Sequence, residues 1–192
     1  MRDPASLYNL FMQFVRFASF WLYPSLAASL LWLTWPGRIS SRLSASAVLF
    51  VIGLFSWTLL EYILHRFVFH WQPRSRRLRD RIEVLHVRHH ESPRDLDRLF
   101  VRPIYSIPIS ALVFSGVYVA LGDVFSASIA MAGLWTGFLY YEFVHYQVHC
   151  TYSTVAFLTF QRSRHYHHHF MDPSICFGVT TPLWDWVFGT GK

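Results

Sequence analysis

The stretch RIEVLHVRHHESP, residues 81–93, decides how the chain is read. It places His86, His89 and His90 at i, i+3 and i+4. On an α-helix those positions share one face, because 3.6 residues make a turn. Three imidazoles on one face mean three separate hydrogen-bond partners, three histidines exposed by chance, or a metal. The rest of the chain repeats the device. Its 11 histidines fall in four clusters: HRFVFH at 65–70, HVRHH at 86–90, HYQVH at 145–149 and HYHHHF at 165–170.

Helical geometry sorts them. His145 and His149 are i, i+4, and His165, His168 and His169 repeat the i, i+3, i+4 pattern. His167 falls about 200° round from His165 and is left out of the ligand set. His65 and His70 are about 140° apart on a helix and converge only if the helix ends or loosens between them. Trp71-Gln72-Pro73 is suited to end it. The candidate ligands are therefore His65, His70, His86, His89, His90, His145, His149, His165, His168 and His169. Ten imidazoles are too many for one ion and suit two. Imidazole binds zinc, copper, iron and nickel alike, so the residues do not name the metal.

Composition says where such a site sits. The 192 residues are 53% hydrophobic, 19% aromatic and only 15% charged, against about a quarter charged in soluble proteins. Apolar runs long enough to cross a bilayer are expected near 10–35, 44–64, 104–121 and 124–146, at about 20 residues a crossing. Pro24 is placed to kink the first, and Gly122-Asp123 to turn between the last two. The net charge of +6 is almost all arginine, since Lys192 is the only lysine. Those arginines crowd between Arg74 and Arg102, flanked by apolar runs, which fits a cytoplasmic membrane surface rather than nucleic acid. Alternating spans then put the 70–102 loop, the C-terminal tail and both termini on the cytoplasmic side. No removable signal peptide is expected. Cys150 and Cys176 lack zinc-ribbon spacing and read as reduced thiols. The fold expected is all-α: one integral-membrane domain, residues 1–192, with four transmembrane helices and a cytoplasmic helical cap holding a histidine-rich di-metal site.

The order and spacing of these boxes resemble the fatty acid hydroxylase superfamily, integral-membrane di-metal oxygenases. The closest likeness is to the fatty acid 2-hydroxylases that act on sphingolipid acyl chains. The matching stretches are EYILHRFVFH at 61–70, HVRHHESPRDLDRLFVRP at 86–103, HYQVH at 145–149 and HYHHHFMDPSICFGVTTPLWDWVFGT at 165–190. The tail FGVTTPLWDWVFGT favours this branch over acyl-CoA desaturases.

The resemblance implies an O2-dependent hydroxylase of a long-chain fatty acid or acyl lipid, acting at C-2. It implies two metal ions, expected to be iron, with zinc a possible substitute in a structure. Many eukaryotic relatives carry a fused cytochrome b5 domain and this sequence has no room for one. A separate electron donor, cytochrome b5-like or ferredoxin-like with a reductase, is therefore expected. Glu61, Asp95 and Asp172 are candidate partners for histidine ring N–H groups; the last two read equally as helix caps or turn residues. Adjacent histidines point about 100° apart, so neither HxxHH cluster serves one ion alone. The expected division puts His65, His70, His86, His90 and His169 on one ion. His89, His145, His149, His165 and His168 go to the other, as in membrane desaturases with related boxes. The competing readings are a hydroxylase of a sterol, carotenoid or bacterial aminolipid, and a non-enzymatic membrane metal- or haem-binding protein. Haem leaves the HxxHH clusters unexplained, and a metal carrier wants its ligands mid-membrane.

Overall fold

The computed structural model describes residues 18–34 and 43–191. The regular elements among these residues are all helices, with no strand. In chain order the helices are α1 (Ser19–Thr34), α2 (Leu43–Phe69), α3 (Arg76–Glu91), α4 (Leu96–Leu99), α5 (Pro103–Leu121), α6 (Val124–Cys150), α7 (Ala156–Phe170) and α8 (Leu183–Val187). They form two compact units: residues up to Leu54 with Val101–Leu139, and Phe55–Phe100 with Tyr140 onward. Helices α2 and α6 each run from one unit into the other.

Three stretches are long and apolar enough to cross a membrane: Leu43–Phe69, Leu96–Leu121 and Val124–Cys150. The second and fourth expected spans are thus longer than the apolar runs suggested, because their helices continue into the histidine clusters. Of the first expected span only residues 18–34 are described, and they are helical; the remainder lies outside the described residues.

Within the first unit, two glycines let backbones meet. A Cβ on Gly53 would lie 1.9 Å from the Ala130 carbonyl oxygen, and one on Gly133 would lie 2.0 Å from that of Phe50. Small residues at helix crossings are the usual means of packing in lipid, where no hydrophobic force holds helices together. Tyr23 of α1 is buried against Trp135 and Phe138, ring centroids 5.5 and 5.3 Å away. The Trp135 indole N–H donates to Ser110 Oγ at 2.9 Å, tying α6 to α5. Gly122 ends α5 at φ +64°, which costs glycine nothing. Asp123 then caps α6, accepting from the Ser126 N–H at 2.9 Å. The expected Gly122-Asp123 turn has this form.

The second unit holds the polar end of α2, helices α3 and α4, the end of α6, helix α7 and the tail. Its α3 begins as Arg76–Ile82, passes through a π-helical turn at Glu83–Val87, and ends as Arg88–Glu91. Every histidine of the chain lies in this unit.

Candidate metal centre

Local helix geometry gathers the rings. Helix α2 ends in a π-helical turn, Leu64–Phe69, which carries His65 and runs into His70. A π turn bonds i to i+5, so residues five apart stand one turn apart. His65 and His70 accordingly face the same way, with ring centroids 5.1 Å apart. The loosening expected near Trp71-Gln72-Pro73 lies one turn earlier, inside the helix. Helix α3 adds His86, His89 and His90, α6 adds His145 and His149, and α7 adds His165, His168 and His169.

Two groups of five result. His65, His70, His86, His90 and His168 offer ring nitrogens within 4.8 Å of one another, as do His89, His145, His149, His165 and His169. The expected division is corrected at one point: His168 joins the first group and His169 the second. Residues i and i+4 differ by about 40° round a helix, i and i+3 by about 60° in the opposite sense. The i, i+4 pair therefore stays together in both clusters, His86 with His90 and His165 with His169. The i+3 residue, His89 or His168, crosses to the other group. His167 is half-buried and belongs to neither group.

The spacing fits metal ions. Nε2 of His86 lies 3.0 Å from Nε2 of His65 and 2.9 Å from Nε2 of His90. The Nε2 pairs of His70–His168 and His145–His165 are 3.0 and 3.1 Å apart. With metal–nitrogen bonds near 2.1 Å, ligands at right angles stand about 3.0 Å apart and tetrahedral ones about 3.4 Å. The distances match ligands at right angles. A single N–H on His86 Nε2 satisfies only one of its two close neighbours. Both ring nitrogens of His89 and of His169 are buried with no hydrogen-bond partner, which an ion would supply.

Electrostatics keep the rings neutral. Burial pushes His70 and His168 down to about 4, and for His70 the neighbouring His168 adds to it. Burial, then His168 and His70, takes His90 down to about 3. His86 and His165 are driven well below the ordinary range by burial first and the surrounding imidazoles second. Neutral rings present lone pairs, the form in which imidazole binds metal. Aromatic walls hold the rings: Phe69 stacks on His86 at 5.3 Å, Tyr141 on His145 at 5.3 Å and Tyr166 on His149 at 6.0 Å.

The expected carboxylate partners do other work. Among the described residues none hydrogen-bonds a histidine ring. Asp95 caps α4, accepting from the Asp97 N–H at 3.1 Å, and pairs with Arg98 at 3.1 Å. Asp172 accepts from the N–H and hydroxyl of Ser174 in a turn. Glu61 is buried but binds the tail, accepting from the N–H groups of Val179 and Thr180. Two ring N–H groups go instead to backbone carbonyls. His65 Nδ1 lies 2.6 Å from the Phe177 oxygen and His168 Nδ1 lies 2.7 Å from that of Ile175. Carbonyl partners carry no side-chain signal, so the sequence could not reveal them. Asp185, also missed, is wholly buried and pairs with Arg164 at 2.7 Å; an acid inside the apolar PLWDWVF run was its one clue.

A family model described as fatty acid hydroxylase matches residues 50–190. Fatty acid 2-hydroxylase of Rattus norvegicus is 34% identical over 145 residues, covering 74% of this chain and 39% of that protein. Dihydroceramide fatty acyl 2-hydroxylase of Arabidopsis thaliana is 35% identical over 140 residues, 73% of this chain and 59% of that protein. A solved structure of full-length scs7p, with only the hydroxylase domain visible, superposes with a TM-score of 0.76 at 31% identity. It covers 90% of this chain and 63% of that one. The chain thus spans about two fifths of the rat relative and under two thirds of the plant one.

Proposed function

The chain belongs to the fatty acid hydroxylase family, and on that premise we propose that it hydroxylates a long acyl chain of a fatty acid or ceramide-type lipid at C-2. The observation that carries this is the pair of five-imidazole groups with ring nitrogens about one cis-ligand distance apart. His65, His70, His86, His90 and His168 would hold one iron ion, and His89, His145, His149, His165 and His169 the other. When bound, the iron pair supplies O2 activation: two external electrons and two protons reduce one oxygen atom to water while the other enters a C–H bond. Neutral rings would leave the ions' charge uncancelled, and the stacked Phe69, Tyr141 and Tyr166 fix the planes of His86, His145 and His149.

The names of the rat and plant relatives support the acyl substrate and the C-2 position. The reaction needs electrons from outside, and a separate cytochrome b5-like or ferredoxin-like donor is proposed to bring them. Residues 1–192 are proposed to act as one domain. The apolar run at 10–35 is the proposed fourth span. The arginines between Arg74 and Arg102 support a cytoplasmic side for the histidine unit and both termini.

Lipid profiling tests the reading. Cells expressing the chain should accumulate acyl lipids heavier by about 16 mass units, one oxygen atom, and cells expressing His86→Ala should not. Hydroxyl groups consistently away from C-2, or on a sterol, would refute the substrate assignment.

A further inference from the structure

We propose that Glu61 and Asp185 are positioning residues for the first histidine group alone, acting through the carbonyls on either side of Cys176. The inference rests on the two-metal reading above.

The two ring N–H acceptors, Ile175 and Phe177, flank a single residue. Cys176 between them has φ +60°, the left-handed region that a non-glycine residue rarely adopts. Its N–H donates to the Thr190 carbonyl at 2.8 Å. The next four backbone N–H groups all end on two buried carboxylates. Those of Phe177 and Gly178 donate to Asp185 Oδ1 and Oδ2, each at 2.9 Å. Those of Val179 and Thr180 donate to Glu61 Oε1 at 2.6 and 3.0 Å, and the Thr180 hydroxyl donates to Glu61 Oε2. Gln161 takes the Val179 carbonyl from the far side. Asp185 is itself held by Arg164 at 2.7 Å and the Thr190 hydroxyl at 2.8 Å. A Cβ on Gly178 would lie 2.1 Å from the Thr181 oxygen, so the turn has no room to shift there.

The consequence falls on two rings. An Nδ1–H held by a carbonyl fixes the tautomer and aims the Nε2 lone pair. His65 Nε2 then stands 3.0 Å from His86 Nε2, and His168 Nε2 stands 3.0 Å from His70 Nε2. All four belong to the first group. No ring of the second group reaches this turn; Nδ1 of His145 and of His165 is buried without a hydrogen-bond partner. The hydrogen bonds of Glu61 and Asp185 go to the tail and to Arg164 rather than to a histidine, so the two carboxylates act through residues 175–180. The two groups therefore differ in what holds their rings: two ring N–H groups of the first rest on tail carbonyls, whereas the second meets the tail only through Gln161 and Arg164 on its helix.

Metal binding separates this from general structural support. Zinc affinity of the purified full chain is measured by competition with a chelating dye, in two backgrounds. His149→Ala disables the second group and His70→Ala the first. Glu61→Gln should weaken zinc by roughly 10–100-fold in the His149→Ala background, the usual cost of losing a ligand's support. In the His70→Ala background affinity should be unchanged. Asp185→Asn should show the same split. Equal losses in both backgrounds, or none in the first, would overturn the proposal. A parent chain that binds no zinc would instead overturn the two-metal reading beneath it.

Discussion

His90 and His169 stack face to face, ring centroids 4.0 Å apart and 7° from parallel, although they belong to different groups of five. The two groups are therefore neighbours with a shared wall. His90 comes from α3 and His169 from α7, so the wall also joins two helices.

Removing one ring of that wall should disturb both centres. His169→Ala is expected to abolish metal at its own group and to weaken the other, so total metal falls below one ion per chain. His167→Ala, two residues away and outside both groups, should keep the parent's metal content. Elemental analysis of the purified variants decides it; equal losses from the two would mean the helical register is misread.

Acid should destabilise the metal-free protein. The ordinary imidazole value is near 6.5, whereas burial in the fold pushes His70 and His168 down to about 4 and His90 down to about 3. The unfolded chain thus binds more protons across that window, and stability rises with pH. It is fully present above about 6.5 and lost as pH falls towards 4. Melting midpoints of the chelated protein between pH 7.5 and 4.5 should drop steadily; a flat profile would contradict neutral, buried rings.

The helix crossing in the first unit should tolerate no side chain. Gly133→Ala puts a methyl 2.0 Å from the Phe50 carbonyl, backbone that cannot move aside cheaply. A loss of about 1–3 kcal/mol is expected, typical of overpacking. Gly116→Ala, with open space around it, should be near neutral. Thermal melts in detergent compare the two.

Sidedness is open to labelling. Arg77→Cys lies in α3 and should react with a membrane-impermeant maleimide in inverted vesicles but not in intact cells, with the parent chain as blank. Reaction in intact cells would put the histidine unit on the non-cytoplasmic face.

Much of this was legible because two periods are strong. Long apolar runs marked α2, α5 and α6, and the i, i+3, i+4 spacing marked α3 and α7. What escaped has physical reasons. The π turns at 64–69 and 83–87 leave no trace in composition, so the convergence of His65 with His70 could be required but not explained. The exchange of His168 and His169 turns on whether i+3 or i+4 pairs with i, a difference of about 100°. His165 pairs with His169 as His86 pairs with His90, and the expected pairing of His165 with His168 departs from that pattern. Glu61, Asp95 and Asp172 drew attention as carboxylates, yet the rings bind carbonyls of Ile175 and Phe177, which any residue type could supply.

The most direct test is isotopic. The purified full chain, loaded with iron and supplied with a reductase system and a long-chain ceramide, is exposed to 18O2. One 18O atom should appear at C-2 of the acyl chain, a gain of about 18 mass units, and the yield should follow bound iron up to two ions per chain. An unlabelled hydroxyl drawn from water, or no product from protein carrying both ions, would contradict a di-iron hydroxylase built on these ten histidines.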